Sequence, residues 1–238
     1  MLIEKFTGNG IIIDAALGGQ IATNADVGPI VDRIENCHVF SNGGCGILGN
    51  QATAVVVERC RIEGNSQWGL RLRGNGMSVD GNAIESNGDV KGPGNLRIEA
   101  ASGGTIDASV TNNYFGTVSG QIAPAISVEG NQNGGVSRAF ISGNYLVGNQ
   151  VSKSYAIVVG TENTRGSSGV GNPTASNVTI VGNFIGGFQT GVWIGEGTDR
   201  YVVGPNGFAS GLAGATENLV PTPMLPGRSA GVFKWTTG

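Results

Sequence analysis

The chain has 238 residues, 39% of them apolar, and a net charge of −3, which allows one large domain or two small ones. Charged residues make up only 13%, against roughly 25% in ordinary globular domains. The slight acidity argues against a nucleic-acid partner, and no apolar run approaches the roughly 18 residues of a membrane-spanning helix. The first ten residues lack the pattern of a signal peptide, and we expect the native chain to extend upstream of Met1.

Glycine and asparagine are abundant, with 43 and 22 residues. Both tolerate positive φ at low cost, which favours a fold with many tight turns. The three cysteines form no CxxC motif, and their odd number indicates reduced thiols in a protein that folds in the cytoplasm.

In chain order, a degenerate first unit over residues 10–29 precedes six segments with one shared pattern. Each segment has an apolar residue three positions before an anchor and another two positions after it. The anchors are Cys37, Cys60, Asn82, Asn113, Asn144 and Asn183, spaced by 23, 22, 31, 31 and 39 residues. A fixed pattern with growing spacing predicts stacked units of constant cross-section with lengthening loops.

Each unit also contains a further short apolar stretch of the type Gly-Ile-x-Val. Alternation places one residue of each stretch on an inner face: Ile47, Leu70, Leu96, Ile126, Ile157 and Val192. We therefore predict three strands of three to five residues per unit, stacked like on like about 4.8 Å apart.

The pattern V-x-I-x-G-N-x-I-x-G-N…G-I-x-V over residues 31–195 resembles the pectate-lyase-like superfamily, and most of all a bacteriophage tailspike. The resemblance implies an all-β fold, a single-stranded right-handed parallel β-helix of six to seven coils. It also implies an asparagine ladder in the bend between the second and third strands, where stacked amides satisfy backbone groups. In that ladder Cys37 and Cys60 are interpreted as small buried thiols and not as a disulfide.

The repeat fades after residue 200, where prolines become frequent. We predict a β-helix over residues 1–200 and a C-terminal cap or oligomerisation segment over 201–238, because the open end of a β-helix has unpaired strand groups that need covering.

Two outward columns contain candidate catalytic residues. Beside the Gly-Ile-x-Val strands, Glu99 and Glu129 are predicted to stack with their carboxylates about 5 Å apart, a spacing that fits a retaining glycosidase. Their like charges would also raise the pKa of one of the two carboxyl groups, as a general acid requires. The alternative interpretation is an exposed lattice of arginine–glutamate ion pairs. The second column, two positions before the anchors, offers an inverting pair, a cation site or a solvated acidic stripe; its acids are Glu35, Glu58 and Asp80.

Aromatic rings can stack on the C–H faces of sugars. Trp68 and Trp193, together with Arg71 and Arg97, are the candidate residues for binding an acidic polysaccharide. Trp193 has an alternative role in packing against a loop or another subunit, and Tyr114 and Tyr145 are predicted to stack one position after their anchors. The only histidine, His38, points away from Cys37, so we predict no metal site and no cofactor.

The resemblance implies a tailspike-type protein that binds bacterial surface polysaccharide and cleaves it by glycoside hydrolysis. It further implies a homotrimer in the virion tail, made in the bacterial cytoplasm and acting at the host cell surface. Two alternatives stay open: a carbohydrate- or receptor-binding shaft without catalysis, and a polysaccharide lyase that acts on uronic acids.

Overall fold

The computed structural model describes residues 1–14, 32–89, 93–100, 105–130, 135–161, 176–194, 199–209 and 218–219. Within these ranges the chain is all-β, and every strand pairs in parallel with its neighbours. No helix in these parts is long and apolar enough to cross a membrane.

The described chain forms twenty-one strands. In order they are β1 (Leu2–Glu4), β2 (Ile11–Asp14), β3 (Arg33–Glu35), β4 (His38–Phe40), β5 (Ile47–Thr53), β6 (Val56–Glu58), β7 (Arg61–Glu63), β8 (Leu70–Asn75), β9 (Met77–Asp80), β10 (Ala83–Glu85), β11 (Leu96–Glu99), β12 (Thr105–Thr111), β13 (Tyr114–Gly116), β14 (Ile126–Gly130), β15 (Gly135–Ser142), β16 (Tyr145–Thr161), β17 (Ser176–Val181), β18 (Phe184–Ile194), β19 (Asp199–Val203), β20 (Gly207–Phe208) and β21 (Asn218–Leu219).

The strands pair in three ladders, because the chain returns to the same side of the molecule once per coil. The first ladder runs β2-β5-β8-β11-β14-β16-β18-β21, the second β3-β6-β9-β12-β15-β17-β19, and the third β1-β4-β7-β10-β13-β16-β18-β20. Strands β16 and β18 each pass from the third ladder into the first, which joins these two into one 14-stranded sheet. The predicted parallel β-helix is confirmed.

The core is built from columns of apolar side chains, one from each coil. The six inner residues predicted for the first ladder are all at most 1% exposed, and the register pairs each with its predicted neighbour. Stacking thus buries positions that a single coil would leave in water.

The predicted asparagine ladder is also confirmed. Each anchor amide donates to the anchor of the next coil, at 2.9 Å from Asn82 to Asn113 and 3.0 Å from Asn113 to Asn144. The residue before every anchor has positive φ, which turns the chain sharply and explains the repeated Gly-Asn pair. Cys37 and Cys60 are buried free thiols at the lower end of this ladder, as predicted.

The ladder continues beyond the predicted boundary at residue 200. The amide of Asn183 donates to Asn206 at 3.0 Å, and β19 and β20 pair with the preceding coil. Parallel pairing therefore extends through Phe208, and it occurs again at β21, which pairs with β18. The separate cap stays a prediction, because nearly all of 210–238 lies outside the described residues.

Candidate functional site

The outward column predicted beside the Gly-Ile-x-Val strands lies on the first ladder. Arg71 and Arg97 are register neighbours in adjacent coils, and so are Glu99 and Glu129. Arg73 lies directly below Glu99. We call Arg71, Arg73, Arg97, Glu99 and Glu129 the arginine–glutamate cluster.

Glu99 is the centre of this cluster. Its carboxylate lies 2.7 Å from Arg71 Nε, 2.8 Å from Arg97 Nε and 2.9 Å from a terminal nitrogen of Arg73. The residue is only 7% exposed. A carboxylate with so little water around it is stabilised by charged donors. Arg71 and Arg73 of the coil below donate hydrogen bonds to it, and Arg97 of its own coil adds a third positive charge.

Glu129 is buried one coil above. Arg97 reaches across the coils, with 3.6 Å between its Nη2 and Glu129 Oε2. The hydroxyl of Ser127, itself fully buried, donates to the Glu129 carboxylate. The arginine of one coil thus bridges the carboxylates of two coils.

The pKa of Glu99 is lowered. Burial raises the pKa, but the hydrogen bonds from Arg71 and Arg73 and the charge of Arg97 together have the larger effect. For Glu99 this is the opposite of the direction expected for a general acid, because the three guanidinium groups outweigh the effect of burial on its pKa. Glu99 is therefore an ionised partner of the arginines at neutral pH.

The two candidate tryptophans are less open than a sugar platform requires. Trp68 and Trp193 are each 8% exposed. The guanidinium of Arg97 lies 5.7 Å from the ring centroid of Trp68, a cation–π distance. In this conformation Trp68 supports Arg97, and the predicted stacking of either ring on a sugar stays a prediction.

The cluster has an excess of positive charge on its solvent side. It combines three guanidiniums with two carboxylates, and the carboxylates are the buried members. The Arg71 and Arg73 side chains are 35% and 39% exposed, so their outer edges face water. An exposed arginine edge is well suited to carboxylate or phosphate oxygens.

The second predicted column is neutralised by neighbouring basic and polar groups. Arg59 contacts Glu35 at 3.0 Å and Glu58 at 2.9 Å, and Arg33 contacts Glu58 at 2.9 Å. Strand alternation would turn Arg59 away from these acids, but its φ of 51° takes it out of the strand pattern and towards them. A hydrogen bond with Glu58 and the charge of Arg59 lower the pKa of Glu35.

Asp80, the third acid of that column, accepts hydrogen bonds from Thr111 Oγ1 at 2.6 Å and Asn112 Nδ2 at 3.0 Å. Across the described part of the chain, no three His, Cys, Asp or Glu side chains are grouped so that they could hold a metal ion. The geometry of this column is that of an ion-paired surface stripe.

The third ladder carries features that sequence reasoning found only in part. Tyr114 and Tyr145 stack as predicted, with ring centroids 6.0 Å apart, and Phe184 extends the stack at 4.8 Å. His38 pairs with Glu63 at 2.8 Å and stacks on Phe40. Phe184 occupies the same position after its anchor as the two tyrosines, so the repeat itself could have identified it.

Comparisons with known proteins give no further identification. Searches of protein-family models, of curated proteins and of solved structures found no match to this chain. Function is therefore inferred from the geometry described above.

Proposed function

We propose that the chain is a tailspike-type β-helix that binds an acidic bacterial surface polysaccharide on the outer face of the first ladder. The observation that carries the proposal is the arrangement of the arginine–glutamate cluster, with its carboxylates buried and the edges of Arg71 and Arg73 exposed. A uronate or other sugar carboxylate would meet preoriented guanidinium edges there.

The state of Glu99 favours binding over cleavage. A general acid must hold a proton near neutral pH, whereas the three arginines lower the pKa of Glu99. A carboxylate that orients arginines is useful in a binding site, because it fixes their side chains before the ligand arrives.

The test is binding to a panel of capsule and O-antigen preparations, each compared with its carboxyl-reduced form. We expect retention of acidic polysaccharides only, and weaker retention by Arg71→Gln. Arg138→Gln is the matched control, because Arg138 is 71% exposed and pairs with Asp107 on the second ladder. Equal binding of native and carboxyl-reduced polymers would refute the proposal.

Glycoside hydrolysis is the second candidate. It is favoured by the register that makes Glu99 and Glu129 direct neighbours in adjacent coils, the arrangement expected of two closely spaced carboxylates. Release of reducing ends from a bound polysaccharide, lost in Glu129→Gln, would support hydrolysis. Products with an unsaturated ring would instead indicate a lyase.

The assembly and location belong to the same proposal. A tailspike-type protein would act as a homotrimer in the virion tail, at the host cell surface. Sedimentation equilibrium measures the subunit number directly, and a monomer at all accessible concentrations would refute the trimer.

A further inference from the structure

The outward column of the third ladder changes character along the helix axis. Its residues, one per coil and joined by register pairs, are His38, Arg61, Ala83, Tyr114, Tyr145 and Phe184. The last three form the aromatic ladder, whose members are 37–47% exposed. The rings are close to parallel, at 16° and 5°.

The aromatic ladder ends abruptly at Ala83. One face of the Tyr114 ring is turned to Tyr145, and the opposite face is turned to the coil of Ala83, where a methyl group replaces a ring. The next long side chain in the column, Arg61, begins two coil steps below Tyr114, about 9.6 Å away at the usual strand spacing. Ala83 therefore leaves one coil step of the column, about 4.8 Å, without a ring.

The neighbouring side chains border this gap. The Arg61 guanidinium extends along its own strand to Glu63 at 2.8 Å and reaches Glu85 at 3.3 Å. The space beside Gly116, which has no side chain, is bordered by the Tyr114 hydroxyl and by the Cβ of Glu85. The Glu85 side chain and the hydroxyl of Tyr114 therefore lie at the same edge of the gap.

The carboxylates at this edge outnumber the guanidiniums. Glu63 and Glu85 are opposed by Arg61, with side-chain exposures of 22%, 29% and 56%, and Glu63 also contacts the His38 ring at 2.8 Å. An aromatic face is itself electron-rich and attracts a cation placed over it. Both features favour a positively charged ligand.

We propose that this gap, formed by Ala83, Tyr114, Glu85 and Arg61, binds one pyranose ring that bears a free amino group. The C–H face of the sugar stacks on Tyr114 in the position that a ring occupies in the coils above. Its ammonium donates to the carboxylates at the edge. This site lies on a different ladder from the arginine–glutamate cluster and has the opposite charge, so it does not rest on the proposed function.

The test uses methyl glucosaminide as the probe and its N-acetyl derivative as the neutral counterpart, with binding followed by saturation-transfer NMR. We expect the amino sugar to bind the full chain and the neutral derivative to bind about fivefold more weakly. Ala83→Phe should fill the gap and abolish binding, and Glu85→Gln should weaken it by a similar factor of about five.

Phe184→Ala is the matched control, because it removes a ring from the far end of the same stack and should leave binding unchanged. Tyr114→Leu provides a second loss of the stacking face in case Ala83→Phe does not fold, with circular dichroism as the check on folding. The proposal is overturned if the wild-type chain does not bind the amino sugar, if the neutral derivative binds equally well, or if folded Ala83→Phe binds as the wild type does.

Discussion

Replacing Glu99 with glutamine tests the arginine–glutamate cluster at the group where its charges converge. The side chain keeps its size but loses its charge, and its amide nitrogen donates hydrogen bonds where the carboxylate accepted them. Three guanidiniums that lay 2.7–2.9 Å from the carboxylate then repel one another, and the only acidic group of the cluster that remains is Glu129, 3.6 Å from Arg97.

The size of the effect follows from burial. Removing one partner of a fully buried ion pair costs about 3–5 kcal/mol, whereas an exposed pair contributes at most about 1 kcal/mol. The Glu99 side chain is 9% exposed, but Arg71 and Arg73 are more than a third exposed, so water screens part of the repulsion. We therefore expect Glu99→Gln to lower the free energy of unfolding by about 2–3 kcal/mol.

The assay is urea unfolding of both proteins, compared at equal m-values so that the shift in midpoint reports stability. Glu85→Gln is the matched control, since Glu85 is 29% exposed and pairs with Arg61 at 3.3 Å. The control should lose less than about 1 kcal/mol. If Glu99→Gln loses no more than this control, the cluster does not have the energetic role that its geometry indicates.

Three further predictions follow from the same structure. Because the folded-state pKa of Glu99 is lowered, the ionised side chain stabilises the fold fully above the ordinary glutamate pKa of 4.5, and this stabilisation is lost as the pH falls towards the folded-state pKa. The melting midpoint should therefore fall on acidification below pH 4.5, and it should fall less in Glu99→Gln. Asn113→Ala should lower the free energy of unfolding in urea by about 3–5 kcal/mol, because it leaves buried groups of Asn82 and Val79 unpaired. Asn149→Ala, at an exposed residue outside the asparagine ladder, should lower it by less than about 1 kcal/mol. Burial raises the pKa of Cys45 and Cys60, so both should resist iodoacetamide until urea is added, as measured by mass; rapid alkylation of the native protein would contradict their burial.

The sequence was sufficient for the repeat because stacking requires the same residue type at the same place in every coil. The inner positions must be apolar, and the bend before each anchor must accept positive φ. Those constraints are local, so the pattern identified the anchors, the columns and the register pairing of Glu99 with Glu129 without any knowledge of the loops.

A second buried amide ladder was not predicted, because its spacing is irregular. Asn42 donates to Asn65, Asn65 to Asn87, and Asn87 to Asn95, at 2.8–3.1 Å. Asn95 follows Asn87 by only eight residues, whereas the two steps before it are 23 and 22 residues. A search for one fixed period cannot detect such a step.

The chemistry of the site also depends on contacts between coils that alternation alone does not give. The pattern placed Arg71 and Arg97 on the outer face, but it did not predict the convergence of three arginines on Glu99, which lowers the pKa of Glu99. Side-chain reach across coils and the burial of Trp68 are properties of the assembled solenoid.

The most direct test of the account is the affinity of one acidic polysaccharide, the tightest binder of the panel, for the wild-type chain and for Arg71→Gln/Arg73→Gln. Each lost charge-assisted contact should reduce the affinity, so we expect at least about tenfold weaker binding by the double variant. The affinity should also depend less steeply on salt concentration, because fewer charges are then screened. Equal affinity and equal salt dependence in a folded double variant would contradict the claim that the exposed arginine edges of the first ladder are the binding surface.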